Sequence, residues 1–430
     1  MTVRPTADQA DPPATRRLLR GHVDFRQLWL ATTVSQLGTQ VSELGIPLAA
    51  ILLLHAGAVQ VGLLAAAGYL PLALLGLPAG AWADRLPRRS VLIGADLARC
   101  LVLASIPIAY LLGSLTIGQL YIVTFCVGGL SVFLDVAYPA YLPSLVARSD
   151  LGRANSRLQV SEQGAAFLGP GLAGWLIGLV GAAFAITADA ASYLASAALL
   201  GRIKHRETKP STSTNRTRLR TEIVEGLRAV ATNRVLRAIA LSAAIVNLFG
   251  RMIVVLLPLY LIRTAGYGPT TIGIVFAIGS IGFLLGAATA DHTARRLGLG
   301  PAILAGATVA ALAFLLIAAA PTRTAAPFVV AALFIYGIGA LTFTVNNATL
   351  RQLTIESQLL GRTTAAMRQL VWIAQPIAGV TAGWLGHRVG IHTAIWIGAI
   401  GALTAPIPLL AAKLSTRMQA EPSTPAPQST

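Results

Sequence analysis

Several ionisable and amide side chains lie inside stretches of the sequence that are otherwise apolar. The first stretch carries Gln36, Gln40 and Glu43 at spacings of four and three residues, and Pro47 follows them. This spacing places the three side chains on one face of a helix. A carboxyl group in such a position costs several kcal/mol unless it binds a proton or finds a partner. Glu43 is therefore a candidate either for reversible protonation or for a structural hydrogen bond.

A second group of charged side chains is predicted on the third, fourth and sixth apolar stretches. Asp96 and Arg99 are one helical turn apart, Asp135 lies near the end of the next stretch, and Asp189 lies in the sixth. Because an arginine in a protein stays protonated, Arg99 requires a carboxylate at the same depth, and either Asp96 or Asp135 could supply it. Asp135 and Asp189 are also reserve candidates for proton binding.

The composition indicates that these side chains are carried by membrane-spanning helices. Hydrophobic residues make up 55% of the 430-residue chain and charged residues 11%, and the mean hydropathy is +0.69. A span needs about 20 apolar residues. We predict an all-α membrane protein with twelve transmembrane helices. They cover approximately residues 26–54, 58–82, 90–112, 117–141, 157–179, 182–201, 236–262, 270–290, 299–320, 325–347, 364–386 and 391–412.

The net charge of +17 follows the predicted membrane topology, so it does not indicate nucleic acid binding. Basic residues concentrate before the first helix and in the loops on the same side, whereas the opposite loops contain only Arg263, Arg323 and Arg388. Cytoplasmic loops carry an excess of Lys and Arg. The sequence therefore predicts a multi-pass protein of the plasma or inner cell membrane with both termini in the cytoplasm.

Charge and hydropathy also divide the chain into five predicted parts. They are a cytoplasmic tail at 1–25, a six-helix bundle at 26–201, a basic linker at 202–235, a second six-helix bundle at 236–413 and a disordered tail at 414–430. Within the linker, Leu219, Ile223, Leu227 and Val230 recur at helical spacing among charges. This pattern predicts an amphipathic helix on the membrane surface, with either an interfacial or a regulatory role.

The two bundles repeat one another in sequence. Residues 151–153 (Leu-Gly-Arg) recur at 360–362, and residues 173–175 (Ala-Gly-Trp) recur at 382–384. A parallel repeat of six helices is typical of secondary transporters, in which substrate binds at the interface between the halves. The repeat predicts two pseudo-symmetric six-helix bundles.

The repeat also relates polar residues of the seventh helix to those of the first. Aligning Pro258 with Pro47 places Arg251 opposite Gln40, one turn from Glu43 in the symmetry-related helix, and Asn247 lies one turn before Arg251. Arg251 is therefore expected to pair with Glu43 in a fixed ion pair or to meet an anionic part of a substrate. The sequence leaves both alternatives open.

The loop between helices 2 and 3 carries a compact charge motif, G-A-W-A-D-R-L-P-R-R at residues 80–89. It resembles the signature of the major facilitator superfamily in this loop. The resemblance implies a cytoplasmic gate motif at Gly80, Asp84, Arg85, Arg88 and Arg89. We predict that Asp96, Arg99 and Asp135 belong to the same gate as a charge network with Asp84; the alternative is a substrate site. A second-half gate copy is predicted at Asp291, Arg295 and Arg296, and Arg88 and Arg89 are expected to face phosphate head groups.

The segments F-L-D-V-A-Y-P-A-Y-L-P and L-G-R-A-N-S-R-L-Q-V, at 133–143 and 151–160, resemble the drug:proton antiporter branch that includes macrolide and enterobactin (siderophore) exporters. Helix 5 adds Gly164, Gly169, Pro170 and Gly174, which resemble the antiporter signature, although Ala173 stands where the family has a terminal glycine. The resemblance implies export of amphiphilic small molecules by alternating access in exchange for protons. A proton-coupled or facilitative uptake permease and a non-transporting sensor or scaffold are the alternatives.

An enzyme is the competing class, and the sequence argues against it. The six histidines are expected in tails and loops, which leaves no intramembrane group of histidines and carboxylates for acid–base or metal chemistry. No G-x-x-x-x-G-K-[ST] sequence for nucleotide binding is present, so an ion or solute gradient must drive transport. We expect no cofactor and no metal. The expected partners are the small-molecule substrate, protons and membrane lipids, and the protein is expected to be monomeric.

Overall fold

The structure is a computed structural model that describes residues 22–83, 87–205, 225–355 and 357–413, with the side chains of 77–83 and 357–358 left undescribed. The described residues form twelve long helices. They are α1 (Val23–Leu52), α2 (Ala58–Ala83), α3 (Arg88–Leu111), α4 (Ile117–Leu145), α5 (Leu151–Val180), α6 (Ala182–Gly201), α7 (Arg234–Arg263), α8 (Pro269–Leu297), α9 (Leu299–Ala318), α10 (Ala325–Thr354), α11 (Ser357–Arg388) and α12 (Ile391–Ala402).

The helices form two six-helix bundles, which confirms the predicted fold class. In the first bundle, α6 packs on α1 and α3, and α4 packs on α2 and α3. In the second, α10 packs on α8 and α9, and α12 packs on α7 and α9. The bundles meet along two extensive contacts, α2 with α11 and α5 with α8. These two contacts are equivalent, because α8 repeats α2 and α11 repeats α5.

At three places a glycine lies in the break between two consecutive helices. Gly181, Gly298 and Gly390 have positive φ angles of 83°, 91° and 87° and form one-residue turns between consecutive helices. Glycine populates this region without the steric penalty of a Cβ atom. Gly181 and Gly390 occupy equivalent positions in the two halves, so the repeat extends to the backbone conformation of the turn.

Several helices extend beyond their predicted ends. α8 continues to Leu297, so Asp291, Arg295 and Arg296 lie on this helix and not in a loop. His292 lies on α8 and His387 on α11, and His392 lies at the start of α12, contrary to the prediction that all histidines lie in tails or loops. The helices are longer than a minimal span because polar residues at their ends continue the hydrogen-bonding pattern outside the apolar region.

The twelfth helix differs from the prediction of one continuous span. It stops at Ala402, and a second short helix runs over Pro406–Ala411. Proline has no backbone N–H to donate, and its ring clashes with the preceding turn, so Pro406 starts a new helix more readily than it continues one.

Ten helical stretches of the described residues are long and apolar enough to cross a membrane, and together they account for every long helix except α1 and α11. These two carry many polar residues. α1 contains Gln36, Gln40 and Glu43, and α11 contains Arg368, Gln369 and Gln375. A transmembrane helix that is polar on one side must direct that side toward protein or water. Both helices are therefore expected at the interface between the bundles.

The two faces of the molecule are distinguished by the connection between the bundles. We call the face that holds residues 202–205 and 225–233 the linker face, and the opposite face, with the loops at 53–57, 112–116, 264–268 and 319–324, the distal face. Residues 225–232 are helical. The earlier part of the predicted amphipathic helix lies outside the described residues.

The linker helix at 225–232 packs against the second bundle. Glu225 Oε2 accepts a hydrogen bond of 2.5 Å from Arg362 Nη1 on α11, and a Cβ atom at Gly226 would lie 2.5 Å from the Arg362 carbonyl oxygen. Val230 is buried in a cluster with Ile239, Ile303 and other residues of the second bundle. The end of the linker is thus fixed to the second bundle by apolar burial more than by its partly exposed ion pair.

Glycine residues bring the two bundles into backbone contact near the distal face. A Cβ atom at Gly174 of α5 would lie 2.5 Å from Gly273 Cα of α8, and a Cβ atom at Gly62 of α2 would lie 2.7 Å from Gly383 Cα of α11. Real Cβ contacts are not this short. The sequence repeat relates Gly62 to Gly273 and Gly174 to Gly383, so the two contacts are formed by equivalent pairs of glycines.

A further contact closes the distal face between the bundles. Arg263, at the end of α7, donates from Nη2 to the carbonyl oxygens of His55 and Ala56 at 2.8 and 2.9 Å. Closer to the linker face α2 and α11 stay in contact, because a Cβ atom at Gly76 of α2 would lie 2.4 Å from a side chain of α11, whereas no atom of the described residues lies within 4 Å of the Cβ position at Gly164 of α5. Both helix pairs therefore close the distal side of the interface, whereas α5 has open space at Gly164.

Candidate functional site

A cavity of about 750 Å³ lies between the bundles. Its wall comes mainly from α1, α2, α4 and α5 of the first bundle and from α7 of the second. Apolar surface from residues such as Leu44, Val255 and Phe276 alternates with polar side chains. The charged residues that line it are Glu43, Arg99, Asp135, Glu162, Asp189 and Arg251.

The predicted polar stripe of α1 lines this cavity. Gln36, Gln40 and Glu43 all contribute to its wall, and Gln40 Nε2 lies 3.4 Å from Glu43 Oε2. A Cβ atom at Gly169 of α5 would lie 2.4 Å from Gln40 Cβ, so the absent side chain lets α1 and α5 approach closely. The next residue, Pro170, also lines the cavity. Two residues of the helix 5 motif thus support the cavity wall.

Arg251 connects the two halves across the cavity. Its Nε and Nη2 atoms donate to Gln375 Oε1 of α11 at 3.2 and 3.0 Å, and Nη2 also donates to the hydroxyl group of Tyr69 on α2. Its guanidinium carbon lies 4.4 Å from the centre of the Tyr69 ring. Arg251 and Glu43 share the cavity, but the hydrogen bonds of Arg251 go to Tyr69 and Gln375. Arg251 of α7 therefore hydrogen-bonds to a residue of its own half and to a residue of the other half.

Asp96 and Arg99 form a buried ion pair on α3. Arg99 Nη2 lies 2.6 Å from Asp96 Oδ1, Ser196 Oγ of α6 donates to Asp96 Oδ2 at 2.6 Å, and Arg99 Nη1 donates to Ser131 Oγ of α4 at 3.2 Å. The guanidinium carbon lies 3.8 Å from the Tyr193 ring centre. The structure thus gives Arg99 the carboxylate of Asp96, and the pair joins α3 to α4 and α6.

The remaining carboxyl groups of the cavity differ in exposure. Glu43, Asp135 and Glu162 are open to it, and Glu162 Oε2 accepts from Gln159 Nε2 at 3.2 Å. Asp189 contributes to the wall but has no exposed surface. Charged side chains at this depth are expensive unless solvated or paired. Hydration is available to the first three carboxyl groups and not to Asp189.

The gate motif is described only in part. Asp84 and Arg85 lie outside the described residues, and Gly80 belongs to the end of α2. Arg88 Nη1 donates to the Ala140 carbonyl oxygen at 2.9 Å, and Arg89 donates to the carbonyl oxygens at the end of α6. These two arginines therefore bind main-chain oxygens, and their contact with phosphate head groups stays a prediction.

Two further predicted groups lie apart from the cavity. Asn247 of α7 donates to the carbonyl oxygen of Ala243 within its own helix, at 2.9 Å, and is not part of the cavity wall. Asp291 and Arg295 form an exposed ion pair of 2.8 Å, one turn apart on α8, and Arg296 follows them. Among the described residues, no group of three His, Cys, Asp or Glu side chains could hold a metal ion.

Two residues that line the cavity, Glu162 and Tyr69, and the Arg251 partner Gln375 were absent from the predicted site. Glu162 had a signal, because it lies inside the predicted fifth span and an acidic residue there is a functional candidate by default. Tyr69 and Gln375 are single polar residues in apolar surroundings, and only the position of Arg251 between them indicates their role. The sequence does not show that α2 and α11 meet at this depth.

The comparisons with known proteins agree with this architecture. The profile of the family described as "Transmembrane secretion effector" matches residues 19–429. The multidrug efflux pump Tap of Mycolicibacterium fortuitum is 29% identical over 352 residues, which cover 80% of this chain and 84% of that protein.

Solved structures share the fold at lower identity. A bacterial homologue of the iron transporter ferroportin, in its inward-facing state, has a TM-score of 0.71 at 21% identity and covers 93% of this chain and 100% of that chain. The nucleoside transporter NupG has a TM-score of 0.68 at 12% identity, with 91% and 99% covered. The profile match extends over almost the whole sequence, and the fold it implies is the one observed. The chain therefore belongs to the transmembrane secretion effector family of the major facilitator superfamily, and it is a multi-pass membrane transporter rather than an enzyme.

Proposed function

We propose that this protein is a secondary active transporter that exports amphiphilic small molecules across the cell membrane in exchange for protons. The central cavity is the observation that carries this proposal. Its volume of about 750 Å³ lies in the range of pockets for drug-sized ligands, and its wall combines apolar and polar side chains. The similarity to the efflux pump Tap supports export over uptake.

The charge of the cavity favours a cationic substrate. Glu43, Asp135, Glu162 and Asp189 come from the first bundle, whereas Arg251 is the cationic contribution of the second. The remaining cation, Arg99, is paired with Asp96. Carboxyl groups therefore outnumber cations in the cavity wall, although the net charge of the whole chain is +17. An amphiphilic cation would find apolar surface and anionic groups together there.

Alternating access follows from the two interfaces between the bundles. The glycine contacts close the distal side, and rocking of one bundle against the other would open it as the linker side closes. We propose that the predicted gate motif, including Asp84, Arg85, Arg88 and Arg89, controls closure of the linker side. The second-half copy at Asp291 is already paired with Arg295 and exposed, so its role is expected to be smaller.

Vesicle transport tests the proposal. Inverted membrane vesicles are energised to make their interior acidic, and accumulation is measured for tetraphenylphosphonium, a neutral macrocycle and an anionic siderophore. We expect accumulation of the cation that collapses when the pH gradient is removed. Glu43→Gln should weaken uptake of the cation by about tenfold or more, because a carboxylate partner in a site of this kind contributes 2 kcal/mol or more.

The vesicle experiment also separates the alternatives. A proton-coupled uptake permease would expel the substrate from the same vesicles, and a facilitative carrier would equilibrate it without accumulation. A sensor or scaffold would bind the substrate without moving it. Any of these three outcomes for the whole panel would refute proton-driven export. If the Glu43→Gln variant transports the cation as well as the unaltered protein does, the contact assigned to Glu43 is wrong.

The orientation is a separate prediction. We propose that the linker face is cytoplasmic, because basic residues concentrate there and both termini are predicted on that side. With Cys100 and Cys126 replaced by serine, single cysteines are placed at Ser114 and Thr322 on the distal face and at Thr232 on the linker face. An impermeant thiol reagent added to intact cells should label the first two and leave the third unlabelled until the cells are opened. Labelling of the third in intact cells would reverse the orientation.

A further inference from the structure

Asp189 has the least solvent access of the carboxyl groups that line the cavity. It lies on α6, behind α1, and none of its surface is exposed. Gly38 of α1 makes this position possible, because a Cβ atom there would lie 2.6 Å from Asp189 Oδ1 and 2.0 Å from Ser192 Oγ. α1 thus presents a bare backbone to the carboxyl group, which has no exposed surface although Asp189 contributes to the cavity wall.

The hydrogen bonds of Asp189 satisfy only one of its oxygens. The single hydroxyl proton of Ser192 is shared between Oδ1, at 3.1 Å from Oγ, and the Asp189 carbonyl oxygen, at 2.8 Å. Oδ2 has no partner among the described residues, and neither has the hydroxyl group of Ser42, which faces this carboxyl group from α1. Both orphaned atoms are buried. A buried carboxylate with an unsatisfied oxygen costs several kcal/mol.

One proton on Asp189 Oδ2 removes this cost. It cancels the buried negative charge, and Oδ2 and Ser42 Oγ can still hydrogen-bond to each other, since a serine hydroxyl both donates and accepts. The neighbouring charges do not provide another solution, because Arg99 is occupied by Asp96 at 2.6 Å. The protonated form of Asp189 therefore fits this conformation of the site.

We propose that Asp189 carries the coupling proton and that Glu43 contacts the substrate, so that proton and substrate occupy separate carboxyl groups, one on α6 and one on α1. This inference rests on the proposed export function and assigns one residue to the proton and another to the substrate. Asp189 Oδ2 would bind a proton from water when the distal side is open and return it to water on the linker side. No other bond forms or breaks in this step.

The distance between the two groups is short enough for each to influence the other. Ser42 and Glu43 are consecutive on α1 and both line the cavity, and both lie close enough to Asp189 to affect its charge. The titratable and charged groups around Asp189 are Glu43 from α1, Asp96, Arg99 and Cys100 from α3, and Tyr193 from α6. A cation seated on Glu43 favours loss of the proton from Asp189, and protonation of Asp189 in turn weakens binding of the cation. This reciprocal competition is what antiport requires.

Two measurements test the assignment. In the first, infrared difference spectra of the purified full-length protein are recorded during a pH titration without substrate, and the C=O stretch of a protonated buried carboxyl group is followed. We expect this band in the unaltered protein, its loss in Asp189→Asn and its retention in Asp135→Asn. In the second, a pH indicator reports the protons released when tetraphenylphosphonium is added. Asp189→Asn should bind the cation and release none.

The controls keep the test decisive. Ser42→Ala preserves the carboxyl group but removes the hydroxyl that faces it, so the midpoint of the infrared band should shift by about one pH unit. A band that persists in Asp189→Asn, or a midpoint that does not move in Ser42→Ala, overturns the assignment even if Asp189→Asn proves unstable. Failure of the unaltered protein to bind the cation would instead refute the proposed substrate class, and the infrared measurement would still decide the proton site.

Discussion

Alanine at Gly174 or at Gly62 is expected to shift the transporter toward a state in which the distal side is open. The new Cβ atom would meet backbone atoms of the opposite bundle at 2.5 Å for Gly174 and at 2.4 Å for Gly62. Backbone cannot move aside as a flexible side chain can. Overpacking of this kind costs about 1–3 kcal/mol, and each 1.4 kcal/mol changes the ratio of two states tenfold. The distal-closed state should become rarer by one to two orders of magnitude.

Thiol accessibility measures this shift. In a background in which Cys100 and Cys126 are replaced by serine, a single cysteine is placed at Phe276, which lines the cavity. An impermeant reagent added on the distal side should label it faster in Gly174→Ala and in Gly62→Ala than in the parent protein, and fastest in the double variant. Transport should fall in the same order, because each cycle must pass through the closed state.

The matched control for this prediction is on the same helix. Gly164 of α5 has no atom of the described residues within 4 Å of its Cβ position, so Gly164→Ala adds the same methyl group without a collision. We expect its labelling rate to equal that of the parent protein. Equal labelling in Gly174→Ala and Gly164→Ala would show that the glycine contact does not hold the distal side closed.

The number and order of the helices could be predicted from the sequence because they depend on local properties. Stretches of about 20 apolar residues marked the spans, and the repeats of residues 151–153 and 173–175 marked equivalent helices in the two halves. The break after Ala402 was missed, although Pro406 and Pro408 were visible in the sequence. The hydropathy of the segment outweighed the local signal from these prolines.

The site was predicted less completely because its geometry depends on depth and rotation of helices relative to one another. The sequence placed Gln36, Gln40 and Glu43 on one face, and they line the cavity together. It could not decide between Asp96 and Asp135 as the partner of Arg99, since both lie at compatible depths. It also could not indicate that Arg251 meets Tyr69 and Gln375, because that contact requires the register of α2 and α11 against α7.

Loss of the Asp96 carboxylate should have the largest effect on stability. The variant Asp96→Asn keeps an amide that can accept from Ser196, but it leaves the buried guanidinium group of Arg99 without a counter-charge. Removal of one partner from a buried ion pair costs about 3–5 kcal/mol. We therefore expect a large fall in the melting temperature of the purified protein in detergent, and Arg99→Met should show a loss of similar size.

The double variant distinguishes a lost charge pair from lost packing. In Asp96→Asn/Arg99→Met both charges are absent, so neither is left buried alone, and replacing a whole buried pair is often close to neutral. Its melting temperature should lie above that of either single variant, which is a favourable coupling in a double-mutant cycle. If the two losses add instead, the pair is not the source of the stability.

The exposed pair on α8 supplies the control for this last experiment. Asp291 and Arg295 are joined by an N–O distance of 2.8 Å, similar to the 2.6 Å of the buried pair, but their side chains are 72% and 78% exposed. Water solvates both charges when one is removed, so Asp291→Asn should change the free energy of unfolding by less than about 0.5 kcal/mol. The contrast between the two carboxyl groups depends on burial and not on distance. Equal destabilisation by Asp96→Asn and Asp291→Asn would therefore contradict the structural role of the buried pair in joining α3 to α4 and α6.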